Sequence, residues 1–301
     1  MQSSPRERLG RFFNSDRGLC VLYLPAMALI ILFVFYPLLL GAQISLTNWN
    51  GYSQKSTFVG LRNYIQLFQS TMLTKAVGNT LIYGFGSTVI QTLLGLLYAV
   101  LLNKSFFGRT AARVVIYIPV MVAQIITGYI WYFMIQFDRG ALNDILKLLH
   151  LQPVDWLADG LRAVWIVTLI NGVNYVGKTM IIFLAGLQGI SASLYEAAAI
   201  DGASGFRQFK SITVPQLMPA FTTNILLNLI GGLKLFGLIV SMTGGGPGFA
   251  SHSLQTLISY YYFENQSAGY SAAIGMVTFV FIATLSLIVK AVINKKEVDL
   301  T

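Results

Sequence analysis

Gly172-Val-Asn-Tyr-Val-Gly177-Lys178-Thr179 has the spacing of a phosphate-binding loop, in which backbone N–H groups freed by glycine cradle phosphates and the lysine reaches the terminal ones. That chemistry needs a strand before the motif, a helix after it and a wet nest of backbone donors. Here the octapeptide lies inside an apolar run, residues 164–187, and Met180-Ile-Ile-Phe-Leu184 follows at once. Acidic residues number only 11 in the chain and fall mostly in polar connectors, so no carboxylate at a strand end is available for magnesium. The match is a coincidence of spacing, and nucleotide binding is not expected from it.

Lys178 stays informative without phosphate. A lysine within an apolar span costs ~2.5–3.5 kcal/mol on insertion scales and therefore faces protein or water. Asn171, Asn174 and Lys178 recur at i, i+3, i+7, one face of a helix, with Tyr175 beside them. Asn224 and Asn228 share a face at i, i+4, which Gly231 continues, while Lys234 falls about 80° off that stripe at 3.6 residues per turn. Ser87, Gln91 and Tyr98 form a weaker polar line. One reading is a polar cavity near mid-membrane for a hydroxyl-rich solute, lined by Gln91, Asn171, Asn174, Tyr175, Lys178, Asn224, Asn228 and Lys234. The other is a set of interhelical hydrogen bonds, with Lys178 stretching to a membrane edge. No nucleophile has a base at recognisable spacing, and His150 and His252 lie far apart in connectors, without the makings of a metal site. Binding and translocation rank ahead of catalysis.

The elements that position these residues follow from composition. Of 301 residues, 55% are hydrophobic and 10% charged. A soluble domain carries about 25% charged residues, because its surface must stay wet. The single Cys20 excludes a disulfide scaffold. The net charge of +9 is scattered singly or in pairs without interleaved aromatics, which speaks for charge at membrane edges and against nucleic acid. The fold class expected is an all-α membrane protein with six transmembrane helices in a lipid bilayer.

Six apolar stretches are long enough to cross, near 19–46, 77–103, 112–135, 161–188, 216–242 and 270–293. The first is read as an uncleaved helix, since its apolar core exceeds a signal-peptide h-region. Pro25, Pro37 and Pro119 fall inside spans, where membrane helices tolerate a kink. Arg6, Arg8, Arg11, Arg17, Lys104, Arg109, Arg113, Arg207, Lys210, Lys290, Lys295 and Lys296 outnumber Lys55, Arg62, Lys75, Arg139, Lys147 and Arg162 on the other side. Positive charge collects inside, so both termini are expected in the cytoplasm, with tails at 1–18 and 294–301 around a domain at 19–293. External loops then fall at about 47–76, 136–160 and 243–269, and a cytoplasmic segment at 190–215.

Within that segment Ser193 can cap a short helix with Glu196 as its capping-box partner. Gly202 permits a turn, and a second short helix follows with Phe206, Phe209 and Ile212 on one side and Arg207 and Lys210 on the other. Pro215 then opens the fifth span. The product is a compact knob on the cytoplasmic face.

Glu196-Ala197-Ala198-x-x-Asp201-Gly202-Ala203, followed by Phe209-x-x-Ile212-x-x-Pro215, resembles the EAA motif of membrane subunits in binding-protein-dependent ABC importers. Phe58-Val-Gly-Leu-Arg-Asn-Tyr-Ile-Gln-Leu-Phe68, Gly140-Ala-Leu-Asn143, Leu184-Ala-Gly-Leu-Gln188 and Met242-Thr-Gly-Gly-Gly-Pro247 are similar to segments of its carbohydrate-uptake branch. The likeness covers nearly all of the chain after its first twenty residues. Val214 stands where the family usually has leucine, and Lys178 is no family hallmark. The resemblance implies a type I importer permease fold in a bacterial or archaeal cell membrane, with no ATPase of its own. It implies that Glu196 pairs with a basic residue of an ATPase subunit, that Gly202 gives the turn and that Ala197 and Ala198 permit close docking. It also implies two ATP-binding subunits that use ATP and magnesium, a second homologous permease and an extracytoplasmic solute-binding protein. This chain itself would bind no cofactor. The competing class is a secondary transporter for a small polar solute, which would work without an ATPase.

Overall fold

The computed structural model describes residues 16–298, so the expected tail with Arg6, Arg8 and Arg11 lies mostly outside the described residues, as do the last three positions. The described residues are helical, apart from connectors and an isolated antiparallel bridge between Thr47 and Phe58. In order they form α1 (Asp16–Ile30), a π-helical turn at Ile31–Phe35, α2 (Tyr36–Ile44), α3 (Arg62–Gln69), α4 (Thr71–Leu81), a π-helical turn at Ile82–Gly86 and α5 (Ser87–Asn103). Then come α6 (Arg109–Tyr117), α7 (Gln124–Ile135), α8 (Ala141–Leu148), α9 (Gly160–Asn174), α10 (Val176–Gln188), α11 (Ala192–Ile200), α12 (Gly205–Gln208), α13 (Val214–Gln216) and α14 (Met218–Leu233). The chain ends on α15 (Gly237–Met242), α16 (Leu254–Ser259) and α17 (Ala268–Val298).

Three helical stretches are long and apolar enough to cross a membrane unaided: Tyr23–Ile44, Thr71–Asn103 and Ala268–Lys295. Two more spans are broken. The third expected span, 112–135, is not one helix, because α6 and α7 meet at 98°. Pro119, which has no N–H to donate, opens a 3-10 turn at Ile118–Met121, and Val122 and Ala123 then turn extended. The fourth bends by 42° at Tyr175, between α9 and α10. The fifth ends early. Helix α14 stops at Leu233, Lys234 is its exposed C-cap, and α15 is a separate short helix.

The chain divides into two compact units. One takes the described residues up to Leu67 together with Tyr261–Met276, and the other takes Phe68–Tyr260 and the residues from Val277 on. In the first, Asn63 Nδ2 donates to the carbonyls of Ser45 and Thr47 at 2.8 Å each, and Gly269 N donates to Trp49 O at 2.8 Å. Three backbone segments are thereby tied together.

The core of the second unit is built on glycine contacts, as expected where lipid is as apolar as leucine and close approach supplies the packing energy. A Cβ on Gly95 would sit 2.5 Å from Thr179 Cγ2, which sets α5 directly against α10. Gly177 lies under the backbone of α6, where a Cβ would come within 2.5 Å of Ile116 O. Gly172 packs on Ile90, so both glycines of the phosphate-loop look-alike are helix-contact residues. Phe183 and Leu217 are fully buried nearby, and Phe183 meets Phe221 edge to face with centroids 4.8 Å apart.

Candidate functional site: a polar cavity and a braced knob

The break at Tyr175 opens a cavity. Tyr175 leaves helical geometry at φ −101°, ψ 8°, so α9 and α10 diverge around its ring. Gln91 of α5, Gln124 at the start of α7, Asn171 and Lys178 flank it, and Asn228, Gly231 and Gly232 of α14 complete the lining of a space of about 180 Å³. The sharp turn after Pro119 brings Gln124 here. Gly237 allows it, since even its own added Cβ would touch Gln124 Cβ at 3.0 Å.

The half-buried Lys178 places its ammonium 5.9 Å from the Tyr175 ring centroid, within the range of a cation–π contact. Gln91 Nε2 donates to Asn171 O at 3.3 Å. On the α14 side, Asn228 Nδ2 donates to Thr179 Oγ1 at 2.9 Å and Asn224 Nδ2 to Thr179 O at 3.4 Å. The amide oxygens of both asparagines are buried without a hydrogen-bond partner. An unsatisfied buried acceptor costs about 1–3 kcal/mol, so the oxygen of Asn228, which lines the cavity, marks a place where a donor from a solute is welcome.

Five of the eight sequence-derived path residues meet at this cavity: Gln91, Asn171, Tyr175, Lys178 and Asn228. Three do not line it. Asn174, about 60° round α9 from Asn171, is buried outside it. Asn224 lies a turn before Asn228 and is bound to the α10 backbone. Lys234 is exposed at the end of α14. Gln124, Gly231 and Gly232 escaped the sequence reading as lining; a lone glutamine soon after Pro119 was the available signal for the first.

The segment 190–215 forms two helical pieces around a tight turn. Ser191, and not Ser193, holds the N-cap position of α11: it is extended at φ −63°, ψ 133°, but its side chain makes no capping bond, its hydroxyl pairing instead with that of Ser193 at 2.8 Å. The expected capping box with Glu196 is therefore absent, and Glu196 points its carboxylate to the surface. At the other end Gly202 adopts φ +75°, Gly202 N donates to Ala199 O at 3.1 Å and Ala203 N to Ala198 O at 2.9 Å. These two bonds make a Schellman turn, for which glycine is the favoured residue.

The second piece runs through α12, a π-helical turn at Phe209–Thr213 and α13. Pro215 explains the turn. It has no N–H for Ser211, and Val214 N reaches back to Phe209 O instead. Phe209 and Ile212 are half-buried as expected, but Phe206 is 77% exposed. Tyr195 Oη meets Thr213 Oγ1 at 2.9 Å, and Gln208 Nε2 donates to Ala203 O at 3.1 Å. The knob is thus braced from within. Outward it shows Ile200, 87% exposed, with Phe206, Glu196, Ala197 and Asp201. Large apolar side chains thus stand exposed next to carboxylates on a rigid turn.

The family described as binding-protein-dependent transport system inner membrane component matches residues 91–298. The trehalose/maltose transport system permease protein MalF of Thermococcus litoralis is 34% identical over 268 residues, which cover 89% of this chain and 90% of that protein. The multiple sugar-binding transport system permease protein MsmF of Streptococcus mutans is 31% identical, with 96% of this chain and 99% of that one covered. Among solved structures, a chain from a bacterial ABC transporter involved in the import of the acidic polysaccharide alginate superposes with a TM-score of 0.78 at 22% identity, covering 98% of this chain and 99% of that one.

Proposed function

Because the chain belongs to the family of inner membrane components of binding-protein-dependent transport systems, we propose that it is the subunit through which an ABC importer passes a sugar, oligosaccharide or related polar solute across the membrane. Membership makes it a multi-pass membrane permease and not a catalyst. The choice of solute rests on relatives named for trehalose, maltose and multiple sugars, and on a cavity of amides with one cation and a tyrosine. Amides donate and accept at once, as hydroxyl-rich solutes require.

The observation that carries the coupling role is the braced knob at 190–215, with Glu196 and Ile200 exposed on α11. In this reading Glu196, Ala197, Ala198, Asp201, Gly202, Ala203, Phe209, Ile212 and Pro215 build a dock for a cytoplasmic ATPase subunit, two of which bind ATP and magnesium. Glu196 pairs with a basic residue there. A second homologous permease completes the pathway, an extracytoplasmic binding protein delivers solute, and both termini are cytoplasmic. A solute cannot drive its own uphill uptake without a free-energy difference between states, so the energy comes from the ATPases.

The test is gentle-detergent purification of the tagged chain from its native membrane, mass spectrometry of what accompanies it, and uptake by liposomes carrying the recovered assembly. Co-purification of a second permease and an ATPase, with saccharide uptake that needs ATP, supports the reading. Uptake by the chain alone without ATP would show a secondary transporter instead.

A further inference from the structure

A second polar pocket, sharing no residue with the cavity at Tyr175, lies wholly within the first unit and measures about 350 Å³. That is within the range of small-molecule sites, about 300–1,000 Å³. Aromatic rings form part of its wall: Trp49, and the Tyr261–Tyr270 pair with centroids 4.6 Å apart. Amides form much of the rest, from Asn48, Gln66 and Asn265. No lining side chain is a carboxylate, lysine or arginine.

The pocket is built and not incidental. Its two backbone strips are joined by the Gly269 N to Trp49 O bond, and no other residue fits there, because a Cβ on Gly269 would fall 2.0 Å from Thr47 O. Asn63 holds the Ser45 and Thr47 carbonyls from the third side. The segment carrying Asn48 is fixed by Asn48 N donating to Thr57 O at 3.0 Å and Thr57 N to Asn48 Oδ1 at 2.8 Å. Ser267 N donates to Tyr261 O at 2.8 Å, which closes the turn that presents Asn265. So much hydrogen bonding around a concave, wet surface preorganises it for a ligand.

From this juxtaposition we propose that the pocket is a saccharide-binding subsite selective for neutral sugars. Aromatic faces cover the C–H faces of a pyranose ring, and planar amides bind adjacent hydroxyl pairs through one donor and one acceptor. A uronic acid finds no cation here to repay the desolvation of its carboxylate. The inference rests on the saccharide reading of the importer and adds a capture point separate from the cavity at Tyr175.

The experiment uses the complete complex in lipid nanodiscs, without the binding protein, and saturation-transfer NMR with maltotriose, raffinose and a trigalacturonate as probes. The expected result is transfer to at least one neutral probe and none to the uronate. Gln66→Ala, at an exposed position on α3, weakens that binding about tenfold, and Gln66→Trp, which fills the space, removes it. Gln69→Ala, on the same helix but outside the lining, serves as the control and leaves binding unchanged. Transfer to no neutral probe, equal transfer to the uronate, or binding indifferent to both Gln66 variants would overturn the proposal. ATP-driven saccharide uptake by the same complex reconstituted in liposomes with its binding protein judges the importer reading separately, so the two failures cannot be confused.

Discussion

Tyr195 and Thr213, eighteen residues apart, join their hydroxyls at 2.9 Å and so tie the helix that exposes Glu196 to the segment that runs into α14. A partly buried hydrogen bond of this kind contributes about 0.5–1.5 kcal/mol. Tyr195→Phe removes it with almost no change of shape. The variant is expected to assemble normally but to move about threefold less solute per ATP hydrolysed, measured as the ratio of the two rates in proteoliposomes.

Glu196→Lys reverses the charge at the exposed face of α11, where a basic partner residue is proposed. Uptake should vanish while the chain still inserts in the membrane, and the ATPase should no longer co-purify. Wild-type uptake by this variant would remove the docking assignment.

Gly202 holds φ +75°, a region that costs other L-residues roughly 1–2 kcal/mol. Asparagine tolerates that conformation and valine does not. Gly202→Asn is expected to retain most uptake, and Gly202→Val to lose at least tenfold with the same amount of chain in the membrane, as quantified by immunoblot.

Lys178 and Asn174, although neighbours in the sequence, should separate by phenotype. Lys178→Met alters the lining of the cavity and should raise the solute concentration for half-maximal uptake about tenfold. Asn174→Leu changes a buried position outside it and should act on thermal stability in detergent. Equal kinetic effects from both would mean that the solute path follows the helix face and not the cavity.

Gly177 has no room for a methyl group, because the obstacle is the backbone of α6. Gly177→Ala should cost about 1–3 kcal/mol and lower the melting temperature. Gly78→Ala, where nothing lies within 4 Å, should leave it unchanged or slightly higher. Fluorescence-detected size-exclusion after heating distinguishes the two.

The membrane class and the all-helical fold were legible in the sequence, because apolar content and run length report them directly. So was the turn at Gly202, since a glycine after Ala-Ile-Asp has few other reasons to be there. The bend at Tyr175 and the 98° corner after Pro119 were not, because hydropathy is blind to direction and each bent pair reads as one apolar stretch. Those bends decide the site. They admit Gln124, which no periodicity linked to Asn171. Ser191 took the N-cap position in place of Ser193 for a similar reason: two serines offered the same side chain, and only backbone geometry chose between them.

The joint at Tyr175 also has a mechanical meaning. The thirteen residues of α10 carry the chain from it to Gln188, just before the segment 190–215. At 1.5 Å per residue that arm is about 20 Å long, so a 10° swing at the joint displaces its far end by about 3 Å. A tilt small enough to be accommodated by re-seating one aromatic ring among amides is thereby amplified to the size of an atomic diameter at the knob, and the same arm run backwards converts a push on the knob into a fine adjustment of the cavity.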